Sequence, residues 1–441
     1  IFFIKKILPN YKNIIKLKNN IIEIDYSKNN VKINSKGLYS IDKNFDNFNL
    51  KLIKNKNSFN FNSEISLDAN KVLFKDINYA KKKGISSKLS FDGNLFEDTK
   101  IIFKKISYIE NKNSISLLNL HLAKNYKIVD LDNLKLEYLN DNNKLNKLII
   151  LKNNKKFQLT SKNFDGKLLI KNFLNGDNKS NFFKRFQNLN NEISLNIDQF
   201  FVNDNDYLNN LKGNFVIKNN ILNSGFITAK LNNKNDFNLN IKTNSKKEKI
   251  TNLFIENPKP FIKNFNFIKG FDNGRLSYSS IKKNNFTNSS LKIYDFKVKE
   301  VPVLAKILTL ASLQGIADLL TGEGIRFDDF EMDYNSEENL TEIKEIYAIG
   351  PSISILMSGY IEKNKITSLR GTLVPATTIN KTIAKIPLVG ELLVGKKTGE
   401  GVFGVSFKIK GPPKNLKTTV NPVKTLTPRF ITRTLNKIKK N

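Results

Sequence analysis

The chain has 441 residues, more than one hydrophobic core usually holds, so several domains or one elongated repetitive structure are expected. It has no cysteine, which excludes a disulfide framework, a thiol nucleophile and a cysteine-based metal site. The formal net charge of +33 suggests an anionic partner, but only six of the 73 basic residues are arginine, and the lysines are spread along the whole chain. Nucleic-acid sites favour arginine and concentrate charge on one face, so the distribution argues against nucleic acid and leaves anionic lipid headgroups open.

The first residues are Ile1-Phe2-Phe3-Ile4, an apolar run too short for the core of a signal sequence or for a membrane span. We therefore expect residues 1–20 to be an N-terminal segment of a longer parent chain whose membrane anchor precedes it. A processed mature chain is the alternative.

Residues 21–290 consist of short stretches in which apolar and polar residues alternate, separated by Asn, Asp, Lys and Gly. Period-two alternation is typical of half-buried antiparallel strands, and residues 134–138, 193–197 and 237–241 are clear examples. Turn signals such as Asn219-Asn220 and Asp92-Gly93-Asn94 predict a meander of hairpins. The fold class is therefore mainly β: a long curved antiparallel sheet, or groove of repeated hairpins, followed by a C-terminal β-rich domain carrying two or three helices.

Almost nothing before residue 300 has the pattern of a helix long enough to cover such a sheet. The sheet must then close into a barrel, pair with a second sheet, or hold an apolar ligand on a concave face. For the third case the predicted groove-lining residues are Leu195, Ile197, Leu239, Ile241, Phe296 and Val298. Either strand face is a candidate for the inner one, and ordinary core packing is the alternative for each residue.

After residue 300 the pattern becomes helical. A strongly apolar helix is predicted from Pro302 to Leu320, and the polar residues inside it favour a buried or interfacial helix over a membrane span. Its residues Leu304, Leu308 and Leu319 are expected to cap the groove or touch a membrane, with packing onto the last strands as the alternative. A second helix is predicted over 378–393, and residues 431–441 form a basic tail, either an amphipathic surface helix or a frayed end.

The sequence contains no recognisable set of catalytic residues. The one histidine, His121, lies in an alternating strand without partner histidines, so a strand position is favoured over a metal or catalytic role. Residues 399–404 match G-x-G-x-x-G, but a strand pattern follows where a dinucleotide site needs a helix. We therefore expect a non-enzymatic protein with no catalytic residues, no metal and no cofactor.

The region 291–430 contains short sequence words in a characteristic order. After Asp295-Phe296 they are VPVLA at 301–305, LASLQGIADLL at 310–320, GEGIRF at 322–327, GPS at 350–352, GTLVP at 371–375, IPLVG at 386–390, GEG at 399–401 and VNP at 420–422. Together they resemble the C-terminal domain of AsmA-like proteins, and the resemblance covers roughly a third of the chain.

The resemblance implies an inner-membrane-anchored protein that faces the periplasm of a Gram-negative cell. It also implies a β-groove of the bridge-like lipid-transfer kind, which conducts phospholipid toward the outer membrane and supports outer-membrane integrity. The expected partners are phospholipids and the membrane, with outer-membrane or other envelope proteins as further candidates and no nucleic acid.

Two rival functions remain open. One is an envelope scaffold or assembly factor that binds outer-membrane protein strands by β-edge pairing, and the other is a compact β-sandwich that binds an anionic polymer through its lysines. Edge pairing depends on one exposed strand, whereas polymer binding is strongly salt-dependent.

Overall fold

The computed structural model describes residues 8, 11, 14–27, 30–96, 100–140, 142–174, 185–262, 270–310, 322–375, 404–413 and 415–423. The chain divides into two compact units, residues 1–234 and residues 235–441. Both are mainly β and are built from long antiparallel ladders, which confirms the predicted fold class. The predicted helix at 378–393, the first five residues (399–403) of the G-x-G-x-x-G match and the tail at 431–441 lie outside the described residues.

The strands of the first unit alternate between half-buried and exposed residues. They are β1 (Lys16–Ser27), β2 (Asn30–Ser40), β3 (Asp46–Asn55), β4 (Ser58–Ser66), β5 (Val72–Phe74), β6 (Tyr79–Lys81), β7 (Lys88–Phe96), β8 (Lys100–Glu110), β9 (Asn113–Ala123), β10 (Ile128–Asp130), β11 (Asn133–Leu139), β12 (Leu145–Asn153), β13 (Lys156–Asp165), β14 (Glu192–Phe201), β15 (Tyr207–Lys218) and β16 (Ile221–Leu231). Helix α1 (Lys167–Leu174) follows β13, and a short 3-10 helix (Lys75–Ile77) separates β5 from β6.

The sheet of the first unit follows the chain with one insertion and one crossover. Neighbouring strands pair antiparallel from β1 to β4, and β4 then pairs with β7 because β5 and β6 form a separate two-stranded hairpin. The ladder continues through β8, β9 and β11 to β13, with β10 paired to the end of β9. Strands β13 and β14 are parallel, with α1 in the connection between them, and β14 to β16 return to antiparallel pairing.

The second unit is a meander in chain order. Its strands are β17 (Asn235–Thr243), β18 (Lys249–Ile255), β19 (Asp272–Lys283), β20 (Phe286–Val298), β21 (Ile325–Glu337), β22 (Leu340–Ile349), β23 (Ile353–Glu362), β24 (Ile366–Pro375), β25 (Gly404–Gly411) and β26 (Lys417–Val423). Its described helices are α2 (Lys259–Ile262) and α3 (Pro302–Leu310). The sequence division expected between residues 290 and 291 falls inside β20.

Asparagine supplies most of the backbone turns. Asn219 and Asn220 both have positive φ, 48° and 62°, and form the two-residue turn between β15 and β16, as predicted. Further hairpin turns place a single asparagine at positive φ: Asn111, Asn154, Asn284 and Asn364. These residues tolerate the left-handed region better than other non-glycine residues do.

The turn expected at Asp92-Gly93-Asn94 is wrong, because these residues lie inside β7. The pairing of β7 with β8 shifts register between Asp92 and Gly93, which is a β-bulge. A Cβ on Gly93 would lie 2.0 Å from the main-chain oxygen of Ile102 and 2.8 Å from the Phe61 ring. The glycine is therefore explained by the close approach of a neighbouring strand rather than by a chain reversal.

Candidate functional site

One face of the first unit's sheet is apolar across its width. Cross-strand pairing places Leu159 opposite Leu195, Leu195 opposite Gly213, and Gly213 opposite Ile227, all on one face. The same face continues across the earlier strands, and we call it the first apolar face: Leu52, Phe61, Phe91, Phe103, Ile106, Leu117, Leu134, Ile150, Leu159, Leu195 and Ile227. These side chains are neither fully buried nor fully exposed.

The opposite face of these strands is largely polar. Residues that alternate with the apolar ones include Asn62, Lys105, Lys135, Asn196 and Thr228, and most of them are exposed. Apart from the two-stranded hairpin of β5 and β6, the strands of the first unit make their main contacts with their neighbours in one sheet. In the described residues no second sheet of comparable width therefore lies over the apolar face. The arrangement of this unit therefore differs from the sandwich alternative.

The inserted hairpin, residues 67–87, covers one margin of the first apolar face. Its Val72 and Tyr79 are fully buried and pack in one cluster with Tyr108, Leu136 and Leu148 of the sheet. Near the opposite margin, Phe186 and Leu189 pack on Phe157 and Ile217. Between the two margins lies a triad of phenylalanines, Phe61, Phe91 and Phe103, with ring centroids 5.4 to 6.1 Å apart.

A buried polar network holds the inserted hairpin in place. Lys81, only 1% exposed, donates hydrogen bonds to the main-chain oxygens of Leu67 and Ile85, at 2.7 and 2.8 Å. The Tyr79 hydroxyl donates to the Glu110 carboxylate and lies 3.0 Å from the Tyr108 hydroxyl. Burial lowers the pKa of Lys81 and raises the pKa of Tyr108 to about 12. Sequence reasoning missed this network, because nothing in the alternating pattern distinguishes one lysine or tyrosine from the others.

The sheet of the second unit also has one apolar face, which we call the second apolar face. Its residues form rows, and each row consists of residues that lie opposite each other on neighbouring strands. The first row is wholly apolar: Phe237, Ile255, Leu276, Ile293, Phe330, Ala348, Ile355, Leu373 and Val405. The second row is nearly so: Leu239, Leu253, Tyr278, Leu291, Met332, Ile346, Met357, Gly371 and Phe407. Most residues of the second row are partly exposed.

Helix α3 and a stack of phenylalanines cover the margin beside the first row. Leu304, Ile307 and Leu308 of α3 are buried in the same cluster as Ile293 and Leu373 of the sheet. Phe296 lies between Phe271 and Phe327, with both ring centroids at 5.4 Å. This end of the second apolar face is a closed hydrophobic core.

The third row introduces hydroxyl groups. It contains Thr251, Ser280, Ser289 and Tyr334 in succession after Ile241. The Tyr278 hydroxyl lies 3.2 Å from the Ser289 hydroxyl, and burial raises the pKa of Tyr334 to about 12. The second apolar face therefore changes from a covered hydrocarbon core, through partly exposed apolar side chains, to a row of hydroxyls.

The six residues predicted to line a groove differ in how far the structure exposes them to solvent. Leu195 is partly exposed on the first apolar face, and Leu239 and Ile241 are partly exposed on the second. Ile197, Phe296 and Val298 lie on the same faces but are buried. The six predicted residues thus lie on the expected faces but differ in their exposure to solvent.

Of the three predicted residues of the apolar helix, Leu304 and Leu308 are buried against the sheet of the second unit, as in the packing alternative. Leu319 lies outside the described residues. No helix in the described part of the chain is long and apolar enough to cross a membrane. His121 lies half-buried on β9, and the described residues contain no group of three or more His, Asp or Glu side chains that could hold a metal ion.

The class defined by this geometry is a mainly β protein whose antiparallel sheets each present one partly uncovered apolar face. Comparison of the chain with family models, with characterised proteins and with solved structures found no match.

Proposed function

We propose that this chain is a non-enzymatic cell-envelope protein that binds phospholipid on its apolar sheet faces and conducts it between the inner and outer membranes, supporting outer-membrane integrity. The observation that carries the proposal is the continuity of the apolar rows across many strands, with only the margins covered among the described residues, by the inserted hairpin, by Phe186 and Leu189, and by α3. Acyl chains lying on these rows would remove partly exposed leucine, phenylalanine and methionine side chains from water. Burial of apolar surface contributes about 25 cal/mol per Å², so a lipid covering several residues gains substantial free energy.

Movement along such a face needs no chemical step. Neighbouring strands repeat at about 4.8 Å, so an acyl chain that shifts by one strand meets a similar set of side chains. In the first unit, Leu117, Leu134, Ile150, Leu159 and Leu195 lie on five consecutive strands of the sheet. A nearly uniform apolar path favours sliding because no single position holds the lipid much more tightly than the next.

The sequence adds independent support for the location. Residues 291–430 resemble the C-terminal domain of AsmA-like proteins, which implies an inner-membrane anchor in the full-length protein and a periplasmic position for this part. The net charge of +33 is also compatible with a surface close to anionic phospholipids.

The test is native mass spectrometry with lipid extraction on protein purified in mild detergent. Leu195→Asp and Leu239→Asp place a charge on the two apolar faces, whereas Asn196→Asp and Asn240→Asp place the same charge on the opposite face one residue away. We expect the leucine variants to lose most of the bound phospholipid and the asparagine variants to retain it, with all four folded by circular dichroism. Equal retention by all four variants would contradict lipid binding on these faces.

A second candidate is an envelope scaffold that acts by β-edge pairing. Strand β1 pairs only with β2 among the described residues, and its Ile24 and Tyr26 are 65% and 77% exposed. Such an edge is a template for another strand. Under this alternative, Ile24→Lys abolishes capture of a partner strand, and the leucine variants on the sheet faces leave function intact.

A further inference from the structure

Two lysines lie side by side where the second apolar face ends. Lys249 of β18 and Lys282 of β19 are directly opposite each other, and they belong to the row beyond Thr251 and Ser280. They therefore lie on the same face as Leu253 and Tyr278, two rows further in. Directly opposed residues on antiparallel strands have Cβ atoms about 5 Å apart, so the two ammonium groups share one small region.

Neither lysine has an acidic partner among the described residues. The neighbouring Glu248 accepts a hydrogen bond from Asn244 instead. Some other lysines are paired with an acid: Lys152 of β12 lies 2.5 Å from Asp130, and Lys259 of helix α2 lies 2.6 Å from Asp272. Like charges directly opposite each other destabilise a sheet, and no acidic side chain among the described residues offsets the repulsion between Lys249 and Lys282.

The surroundings of the pair suit an amphipathic ligand. The row next to the lysines carries the partly exposed hydroxyl of Thr251 beside the buried serines Ser280 and Ser289, and the following row carries the apolar side chains of Leu253 and Leu291. Hydroxyls and ammonium groups donate hydrogen bonds to phosphate oxygens, whereas leucine side chains contact hydrocarbon. Polarity thus changes over two rows in the order found along a phospholipid, from charged headgroup through glycerol esters to acyl chain.

We propose that Lys249 and Lys282 bind the phosphate-bearing headgroup of an anionic phospholipid whose acyl chains lie on Leu239, Leu253 and Leu291. This inference rests on the proposed function and names the lipid class that the second apolar face selects. A headgroup of net negative charge relieves the repulsion between the two lysines, whereas a zwitterionic headgroup brings its own cation to the same region. Burial and the charge of Lys282 lower the pKa of Lys249, in keeping with a pair that lacks a counter-charge.

The experiment offers the purified chain an equimolar mixture of phosphatidylglycerol and phosphatidylcholine with identical acyl chains, and counts each bound lipid by native mass spectrometry. The test variant is Lys249→Gln with Lys282→Gln. The matched control is Lys242→Gln with Lys283→Gln, which removes two charges from the opposite face at the same ends of β17 and β19. A parallel arm offers glycerol phosphate, which has the headgroup phosphate but no acyl chains.

We expect the wild-type chain to prefer phosphatidylglycerol and the control variant to keep that preference. The test variant should lose it by about tenfold or more, since each lysine near an anionic lipid headgroup contributes on the order of a fivefold change in affinity. Lipid binding with no preference, or a preference that survives in the test variant, overturns this inference and leaves the proposed function standing. Tight binding of glycerol phosphate that depends on the two lysines identifies a soluble phosphate ligand instead, and no bound lipid at all overturns the proposed function itself.

Discussion

Phe296 and Leu239 were both predicted to line a groove, but the structure gives them different roles. Phe296 is 6% exposed and stacks between two phenylalanine rings beneath the margin covered by α3. Leu239 is partly exposed in the second row of the same unit. Replacing each residue with alanine therefore separates a core position from a surface that a ligand could cover.

The expected loss in the free energy of unfolding for Phe296→Ala follows from the burial of its side chain. Removing a buried phenylalanine side chain costs about 3–5 kcal/mol, and the two stacked rings place this site toward the upper end. Leu239→Ala removes fewer atoms from a side chain that is partly solvated, so we expect a loss below about 2 kcal/mol in the free energy of unfolding.

The assay is urea unfolding of the full chain, followed by circular dichroism, together with the lipid content of the folded protein. We expect Phe296→Ala to shift the transition of the second unit strongly and to keep its bound lipid under native conditions. A loss below about 1 kcal/mol for Phe296→Ala, or an equal loss for Leu239→Ala, would refute the assignment of covered and uncovered zones.

Two further predictions concern the inserted hairpin of the first unit. Burial raises the pKa values of Tyr79, of Tyr108, and of Tyr138, whose hydroxyl donates to the main-chain oxygen of Ile77 in the hairpin. Their neutral forms therefore stabilise the fold fully below the ordinary tyrosine pKa of about 10, and this stability is lost as the pH rises above it. The lowered pKa of Lys81 has the opposite effect on the pH dependence of stability, but one lysine does not outweigh three tyrosines. The part of the tyrosinate absorbance that Tyr108→Phe removes should therefore appear together with loss of the β signal above pH 10. Ionisation of Tyr108 in the folded protein near pH 10 would contradict its burial. Lys81→Met removes the ammonium donor to the main-chain oxygen of Ile85 and one of the two donors to that of Leu67, which keeps its hydrogen bond from the Asn70 main-chain N–H. An unsatisfied buried acceptor costs about 1–3 kcal/mol, so amide hydrogen exchange should accelerate in residues 67–87 and not in β20 to β22. Unchanged exchange in 67–87 would count against the network.

The strands and their turns were largely predictable from the sequence. Alternation at 134–138, 193–197 and 237–241 gave strands β11, β14 and β17, because one face of each strand is apolar and the other polar. Asn219-Asn220 gave a two-residue turn, because asparagine tolerates positive φ at both positions. These features depend on local backbone preferences and on a period of two, which a single sequence displays directly.

The sequence pattern does not predict which residues cover each apolar face, because this depends on packing between distant parts of the chain. Asp295 has a φ of 53° and interrupts the alternation of β20, so Phe296 joins the face that holds Ile293 although the two residues are three positions apart. A strict period of two puts residues three apart on opposite faces. The position of the inserted hairpin likewise depends on long-range packing of Val72 and Tyr79, which no local pattern encodes.

If phospholipid occupies the apolar sheet faces, it should copurify with the chain. The most direct measurement is the mass of lipid that copurifies with the wild-type chain from envelope membranes, determined by native mass spectrometry and lipid extraction beside the Leu239→Asp and Asn240→Asp variants. We expect several phospholipids per wild-type chain, retention of that lipid in Asn240→Asp and its loss in Leu239→Asp. A folded wild-type chain that carries no lipid would contradict phospholipid binding on these faces and would favour the edge-pairing scaffold.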